Sequence, residues 1–253
     1  MKDKQLERKI FSTHKFLSNI AHILLAFTPT LLLCFLIKYN LKNQSAENHF
    51  RIIFQAKSSD DLTPQKILIG TLPLILFAFL FSKYVSEKFF NINIYKLIRY
   101  KSRLKLFISK TILLYVFSLL NTLANALVCF CYFDSLSSPN GILLYLFVYI
   151  LQYCHSFFLL TILMNIINLF FGENLGAVAN VCMIVVFIFL AYIFKTKKIL
   201  LLLFNPIYAI TYASFETVTI DILICEIVFS IVIYLFFGVL VKKSDITVNI
   251  KPL

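Results

Sequence analysis

The groups in this sequence able to do chemistry are polar residues set inside long apolar runs. Asn121 and Asn125 lie four apart on one helical face, Gln152 and His155 share a later run with Asn165 and Asn168, and Asn180 stands in the next. Asp221 and Glu226 are the acids of the last apolar run; at roughly 1.5 Å per helical residue, Glu226 lies about 7.5 Å deeper. In hydrocarbon such side chains must face protein or a cavity. Two uses are open for Asn121, Asn125, Gln152, His155 and Glu226. One is hydrogen bonding between helices, typically about 0.6 kcal/mol per bond. The other is contact with something that moves along a pathway, for which Glu226 is the best-placed buried acid.

Enzyme chemistry has no residue set to rest on. The sequence contains no G-x-S-x-G, no H-E-x-x-H, no paired-aspartate motif for diphosphate lipids and no Cys/His metal spacing, so no catalytic residue and no metal ligand is assigned. Cys34, Cys129, Cys131, Cys154, Cys182 and Cys225 all fall inside apolar runs, as packing residues do. Cys129 and Cys131 are two apart and would point to opposite sides of a helix. With Gly70, Gly141, Gly172, Gly176 and Gly238 its only glycines, the chain cannot build a Gly-rich phosphate loop, so no cofactor is expected on it.

The other reactive surface is the basic segment Ser82 to Lys110, with eight Lys or Arg residues and a single acid, Glu87. Ile94, Leu97, Ile98, Leu104 and Ile108 keep helical spacing, while Lys96, Arg99 and Arg103 occupy another face. This is the pattern of an amphipathic helix at a membrane surface that runs into the following apolar segment. It suits anionic headgroups, at about one kcal/mol per basic residue near the surface, and it equally suits docking of a partner from the cytoplasm.

These residues are positioned by elements that only a bilayer can host. The 253-residue chain is 60% hydrophobic and 14% charged, where soluble domains sit at roughly 45–50% and about 25%; its mean hydropathy is +0.87. The formal charge of +12 comes without a basic patch interleaved with aromatics, so nucleic acid is not implied. The enrichment in Phe, Ile, Lys, Asn and Tyr is that of an AT-rich coding genome. Each crossing needs roughly 20 apolar residues, and six runs qualify, at about 16–37, 67–81, 111–133, 142–171, 175–194 and 220–241. The fold class is therefore an all-α polytopic membrane protein, one transmembrane domain over 1–253, with no room for a separate soluble domain.

Residues 1–15 form an expected amphipathic interfacial helix, with Leu6 and Ile10 opposite Lys and Arg side chains. Residues 38–66 form a polar outer loop, and Glu173-Asn174 mark a short turn between the fourth and fifth spans. In 199–219 the apolar stretch Leu200 to Phe204 is too short to cross, so the segment reads as re-entrant on the outer side, with Pro206 as its breaker. Basic residues number five, eight and three in 1–15, 82–110 and 242–253, against five and three in 38–66 and 195–198. The positive-inside rule then puts both termini in the cytoplasm.

This arrangement resembles the permease subunits of type-two ATP-binding-cassette exporters. The residues that carry the resemblance are Ser86-Glu87-Lys88 after a short second span, Ile94, Leu97 and Ile98, then Ser102-Arg103 and Lys110 at the mouth of the third span. In that family a glutamate and a basic residue open a cytoplasmic coupling helix that fits into a nucleotide-binding subunit. The resemblance implies that Glu87, Lys88, Phe89, Phe90, Asn91, Ile94, Leu97, Ile98, Arg99 and Arg103 contact an ATP-binding subunit, with Glu173 and Asn174 as a smaller contact. The Pro-containing segment 199–219 resembles the family's re-entrant outer element.

The resemblance further implies a dimer of permease subunits, homomeric or heteromeric, in a bacterial cell membrane, with ATP and magnesium bound on the partner subunit. Chains of this size are similar to lantibiotic-immunity permeases and to the membrane subunits that export phenol-soluble modulins, which implies an amphipathic or hydrophobic peptide as cargo. A stand-alone six-span channel, or a bacteriocin-immunity protein without an ATPase, would share the topology and is the alternative.

Overall fold

The computed structural model describes residues 59–86, 103–132, 139–197, 205–215 and 220–243, with single positions at 21, 24, 25, 28, 31 and 32. The interfacial helix expected at 1–15, nearly all of the first span, most of the 38–66 loop, and Glu87, Lys88, Phe89, Phe90, Asn91, Ile94, Leu97, Ile98 and Arg99 lie outside the described residues.

Among the described residues every regular element is a helix. Helix α1 is Pro64–Leu80, opened by Thr63, whose hydroxyl accepts from the Lys66 amide, and by a proline in the first turn. Helix α2, Arg103–Tyr132, begins inside the basic segment and carries on without a break into the apolar run. Helix α3 is Pro139–Ile193, interrupted at Gly172, and it is followed by α4, Pro206–Phe215, and α5, Ile220–Lys243.

Gly172 takes φ 75°, a left-handed conformation that a side chain disfavours, and there the chain reverses. The reversal is visible in one bond: Asn180 Nδ2 donates to Asn168 Oδ1 at 3.0 Å, whereas twelve residues along a straight helix would separate them by about 18 Å. Thus α3 is a hairpin of two arms. Its glycine, rather than Glu173 and Asn174, makes the non-helical turn, because only there is a positive φ required. Three stretches, Lys105–Leu127, Ile150–Gly172 and Asn174–Ile193, are long and apolar enough to cross a membrane.

The helices share two ends. At one, Lys195 Nζ donates to the carbonyls of Asp60 and Leu62 at 2.8 and 3.2 Å, so the tail of the second arm meets the start of α1. At the other, residues 81–86, the turn at Gly172 and the early part of α2 come together, with the Lys110 ammonium 5.5 Å from the Tyr84 ring centre. Between them lies an aromatic core in which Phe77 packs edge-on against Phe157 at 5.3 Å and Phe81 against Phe117 at 5.5 Å. Apolar side chains also cover the outside: Leu127 is 63% and Leu175 68% exposed. Large apolar groups facing outward around a polar-studded interior are what a lipid solvent allows and water does not.

Candidate functional site

Where α1 ends, residues 81–85 leave helical geometry with Phe81, Ser82 and Val85 still buried, so their backbone groups need partners. The Phe81, Ser82 and Tyr84 amides turn to carbonyls of Phe77, Phe79 and Phe81, and Asn165, fully buried on the first arm, supplies the partners beyond these. Its Oδ1 accepts from the amides of Val85 at 2.8 Å and Ser86 at 3.1 Å, and its Nδ2 donates to the Phe81 carbonyl at 2.9 Å and to Thr161 O at 2.8 Å. One turn further along, Asn168 Nδ2 donates to the Ser82 carbonyl at 3.0 Å, while its Oδ1 receives the bond from Asn180. A planar amide with two donors and two acceptor lone pairs suits such bridging.

The two arms must approach closely for this. A Cβ placed on Gly176 would stand 2.9 Å from Asn168 Cα, closer than real contacts allow, and would also collide with Asn168 Oδ1. The Gly172-x-x-x-Gly176 pair therefore makes the turn and the close approach. The result is a joint that fixes Val85 and Ser86, the two residues before Glu87, to the tip of the α3 hairpin. Asn174 is exposed at that same tip.

Nearer the middle of the helices a second polar group gathers. Gln152 and Ser156 lie one turn apart on the opposite side of the first arm from Asn165 and Asn168. Gln152 Nε2 donates to Ala209 O of α4 at 3.2 Å, and the Ser156 hydroxyl donates to Glu226 Oε1 of α5 at 2.8 Å. Glu226 Oε2, Gln152 Oε1 and Ser230 Oγ are buried without a hydrogen-bond partner, as are both side-chain atoms of Asn121. Asn125 Nδ2 turns back to Asn121 O of its own helix at 2.8 Å. His155 Nδ1 donates to Leu151 O at 2.8 Å, which leaves Nε2 facing the Tyr115 hydroxyl at 3.5 Å. Beside these groups α2, the first arm and α5 leave a recess of about 240 Å³ lined by Thr111, Tyr115, His155, Phe158, Ser230 and Tyr234 among others.

Helix α4 is buried from Asn205 to Thr211. Asn205 caps it, accepting from the Ile207 and Tyr208 amides at 3.0 and 3.2 Å while donating to Phe187 O at 3.0 Å. Phe187 lies six residues, about 9 Å, before the end of the second arm at Ile193. The Tyr208 hydroxyl reaches back to the Lys197 carbonyl. Pro206 thus occupies the first position of a helix, where its missing amide costs nothing.

Of the residues singled out in the sequence, Gln152, His155 and Glu226 each contact another helix, and Asn121 and Asn125 lie buried on one face of α2. The sequence pointed to Asn165, Asn168 and Asn180 as polar residues within spans but not to their common partner, the end of α1. Ser156, Ser230 and Tyr115 were missed, because hydroxyls are common in membrane helices and carry no pattern of their own. Among the described residues no group of three His, Cys, Asp or Glu could hold a metal, and Cys154, Cys182 and Cys225 are free thiols. No protein-family model, curated protein or solved structure matches this chain.

Proposed function

We propose that this chain is the membrane-spanning subunit of an ATP-driven exporter, moving an amphipathic or hydrophobic peptide out of a bacterial cell. The energy would come from a separate ATP-binding-cassette subunit docked on residues 82–110. The observation that carries the reading is the asparagine joint. A segment pushed from the cytoplasm does work on the membrane helices only if its attachment is stiff, and Val85 and Ser86 are held by two bonds from one buried amide.

In this reading six helices cross, both termini are cytoplasmic, and Glu87 to Arg103 form the coupling element with Glu173 and Asn174 beside it. ATP and magnesium bind on the partner, and two permease subunits form the pathway. Residues 199–219 dip into the outer leaflet and return; the Asn205 bond to Phe187 and the reach of Tyr208 to Lys197 support that course. Lys195, Lys197 and Lys198 then lie outside, where the Lys195 ammonium has two carbonyls to satisfy it.

The test is purification of the tagged full chain from its host in gentle detergent. A stoichiometric soluble partner bearing a Gly-x-x-x-x-Gly-Lys-Ser/Thr loop is the expected result. In the recovered complex, Glu87→Ala with Phe90→Ala should lower transport about tenfold or more, within the usual range of coupling free energies, while ATP is still hydrolysed. Recovery of the chain alone, under conditions that keep other membrane complexes whole, would transfer the reading to a stand-alone channel or immunity protein. Residues 82–110 would then be a lipid-surface helix.

A further inference from the structure

Helix α2 and the part of α5 after Glu226 are charged at one end only. Residues 103–132 and 227–243 hold five basic residues, Arg103, Lys105, Lys110, Lys242 and Lys243, and no acid. Helix α2 begins at this charge and α5 ends at it. The two run antiparallel: Phe107 stacks on Tyr234 at 5.3 Å, while Thr111, Ile112 and Tyr115 share a recess with Ile227, Ser230 and Ile231. Moving along α2 away from Phe107 therefore means moving back along α5 from Tyr234, and the five basic positions fall at the same end of the pair.

The recess, of about 240 Å³ between α2, the first arm of α3 and α5, is apolar. The polar groups around it are turned to other partners or closed off. The Thr111 hydroxyl donates to Phe107 O at 2.9 Å, His155 Nδ1 donates to Leu151 O at 2.8 Å, and Ser230 Oγ is buried. An apolar cavity of about 150 Å³ stays dry and takes a benzene-sized guest, so this larger space takes a length of hydrocarbon chain. It opens between Ile112 and Ile231, 59% and 52% exposed among the aliphatic groups on the outside of the helices. Lys105, which is exposed, stands seven residues from Ile112 toward the start of α2, and Lys242 stands eleven residues beyond Ile231 toward the end of α5. These are two and three full turns, roughly 10.5 and 16.5 Å, so both positions are in register with the mouth. Half of the hydrocarbon core is about 15 Å. With the charges among headgroups, the mouth lies at the depth of the acyl chains.

We propose that this seam binds one anionic phospholipid of the surrounding leaflet, with an acyl chain in the recess and its phosphate at the basic ends of α2 and α5. Charge selects the headgroup, because basic positions near the surface attract anionic lipid, whereas a zwitterionic headgroup brings its own ammonium to the same place. The apolar recess holds the lipid to one position, which surface attraction alone would not. The inference concerns the chain by itself, and the docking of an ATP-binding subunit on 82–110 has no part in it.

The test uses the absence of tryptophan from the chain. Phe158→Trp puts a single emitter on the recess wall of the full chain in phosphatidylcholine nanodiscs, and a dibrominated acyl chain is supplied on phosphatidylglycerol or on phosphatidylcholine. Quenching by the phosphatidylglycerol should saturate at about tenfold lower mole fraction than quenching by the phosphatidylcholine. The preference should disappear in Lys105→Gln with Lys242→Gln, and quenching by both lipids should fall when Ile227→Phe fills the recess. Val186→Trp, exposed on the second arm, reports lipid gathered by net charge alone. The same preference at that position, or a preference at Phe158→Trp that survives Lys105→Gln with Lys242→Gln, overturns the proposal. Relief of quenching by glycerol phosphate in solution also overturns it, by marking a site for free phosphate. If Phe158→Trp does not fold, native mass spectrometry of the unmodified chain with an equal mixture of the two lipids decides. One phosphatidylglycerol retained per chain, and lost in the double variant, is the expected result; equal retention of the two lipids overturns the proposal.

Discussion

The joint at the end of α1 and the polar group in the middle of the helices use the same side chains to opposite effect. At the joint, Asn165 forms four hydrogen bonds and is saturated, Asn168 uses both its nitrogen and its oxygen, and only Asn180 Oδ1 is left without a partner. In the middle, Asn121 forms none through its side chain, and Gln152 and Glu226 each use one end and leave the other bare. A saturated buried amide is a rivet, because moving it breaks several bonds in a medium with no water to replace them. An unsaturated one is a place where the protein gains from an added partner. The first region is therefore the stiffer attachment.

The comparison is broken most decisively at Asn165. Asn165→Leu strands the Val85 and Ser86 amides, and the full chain in detergent should lose about 3 kcal/mol of stability, seen as a lower melting temperature. Hydrogen exchange should rise first at Val85 and Ser86. An unchanged melting temperature would mean that the joint is not a rivet. Gly176→Ala comes next, since its methyl must displace Asn168. We expect a loss of about 2 kcal/mol, with proximity between positions 168 and 180 weakened in a cysteine cross-linking assay. The smallest change has the opposite sign. Asn121→Leu removes two buried atoms that have no partner and should raise stability by about 1 kcal/mol; a loss of similar size would show that Asn121 is satisfied after all.

Much of the helical layout could be read along the chain. Long apolar runs became helices α2, α3 and α5, and the small residues at 172 and 176 fall where the hairpin turns and closes. The basic segment did run into the third apolar stretch as one helix from Arg103. Asn205-Pro206 carried more information than a break: an Asn followed by Pro is also the signature of a helix start, and Asn205 caps α4 in that way. The joint was not legible. Nothing in the local sequence distinguishes Asn165, which binds the end of α1, from Asn121, whose side chain has no partner, since both are asparagines in apolar runs with hydroxyls and aliphatics around them.

The sequence by itself determined that the chain is helical and carries segments able to cross a bilayer. Hydropathy and length suffice there, because in hydrocarbon each backbone amide must be satisfied within its own helix, a requirement local to some twenty residues. Which polar side chain is a rivet and which buried acid is left half-paired follows from how the helices pack on one another. Those roles depend on partners such as Val85 and Asn165, 80 positions apart, or Ser156 and Glu226, 70 apart. No periodicity along one helix records what another helix will bring to its face.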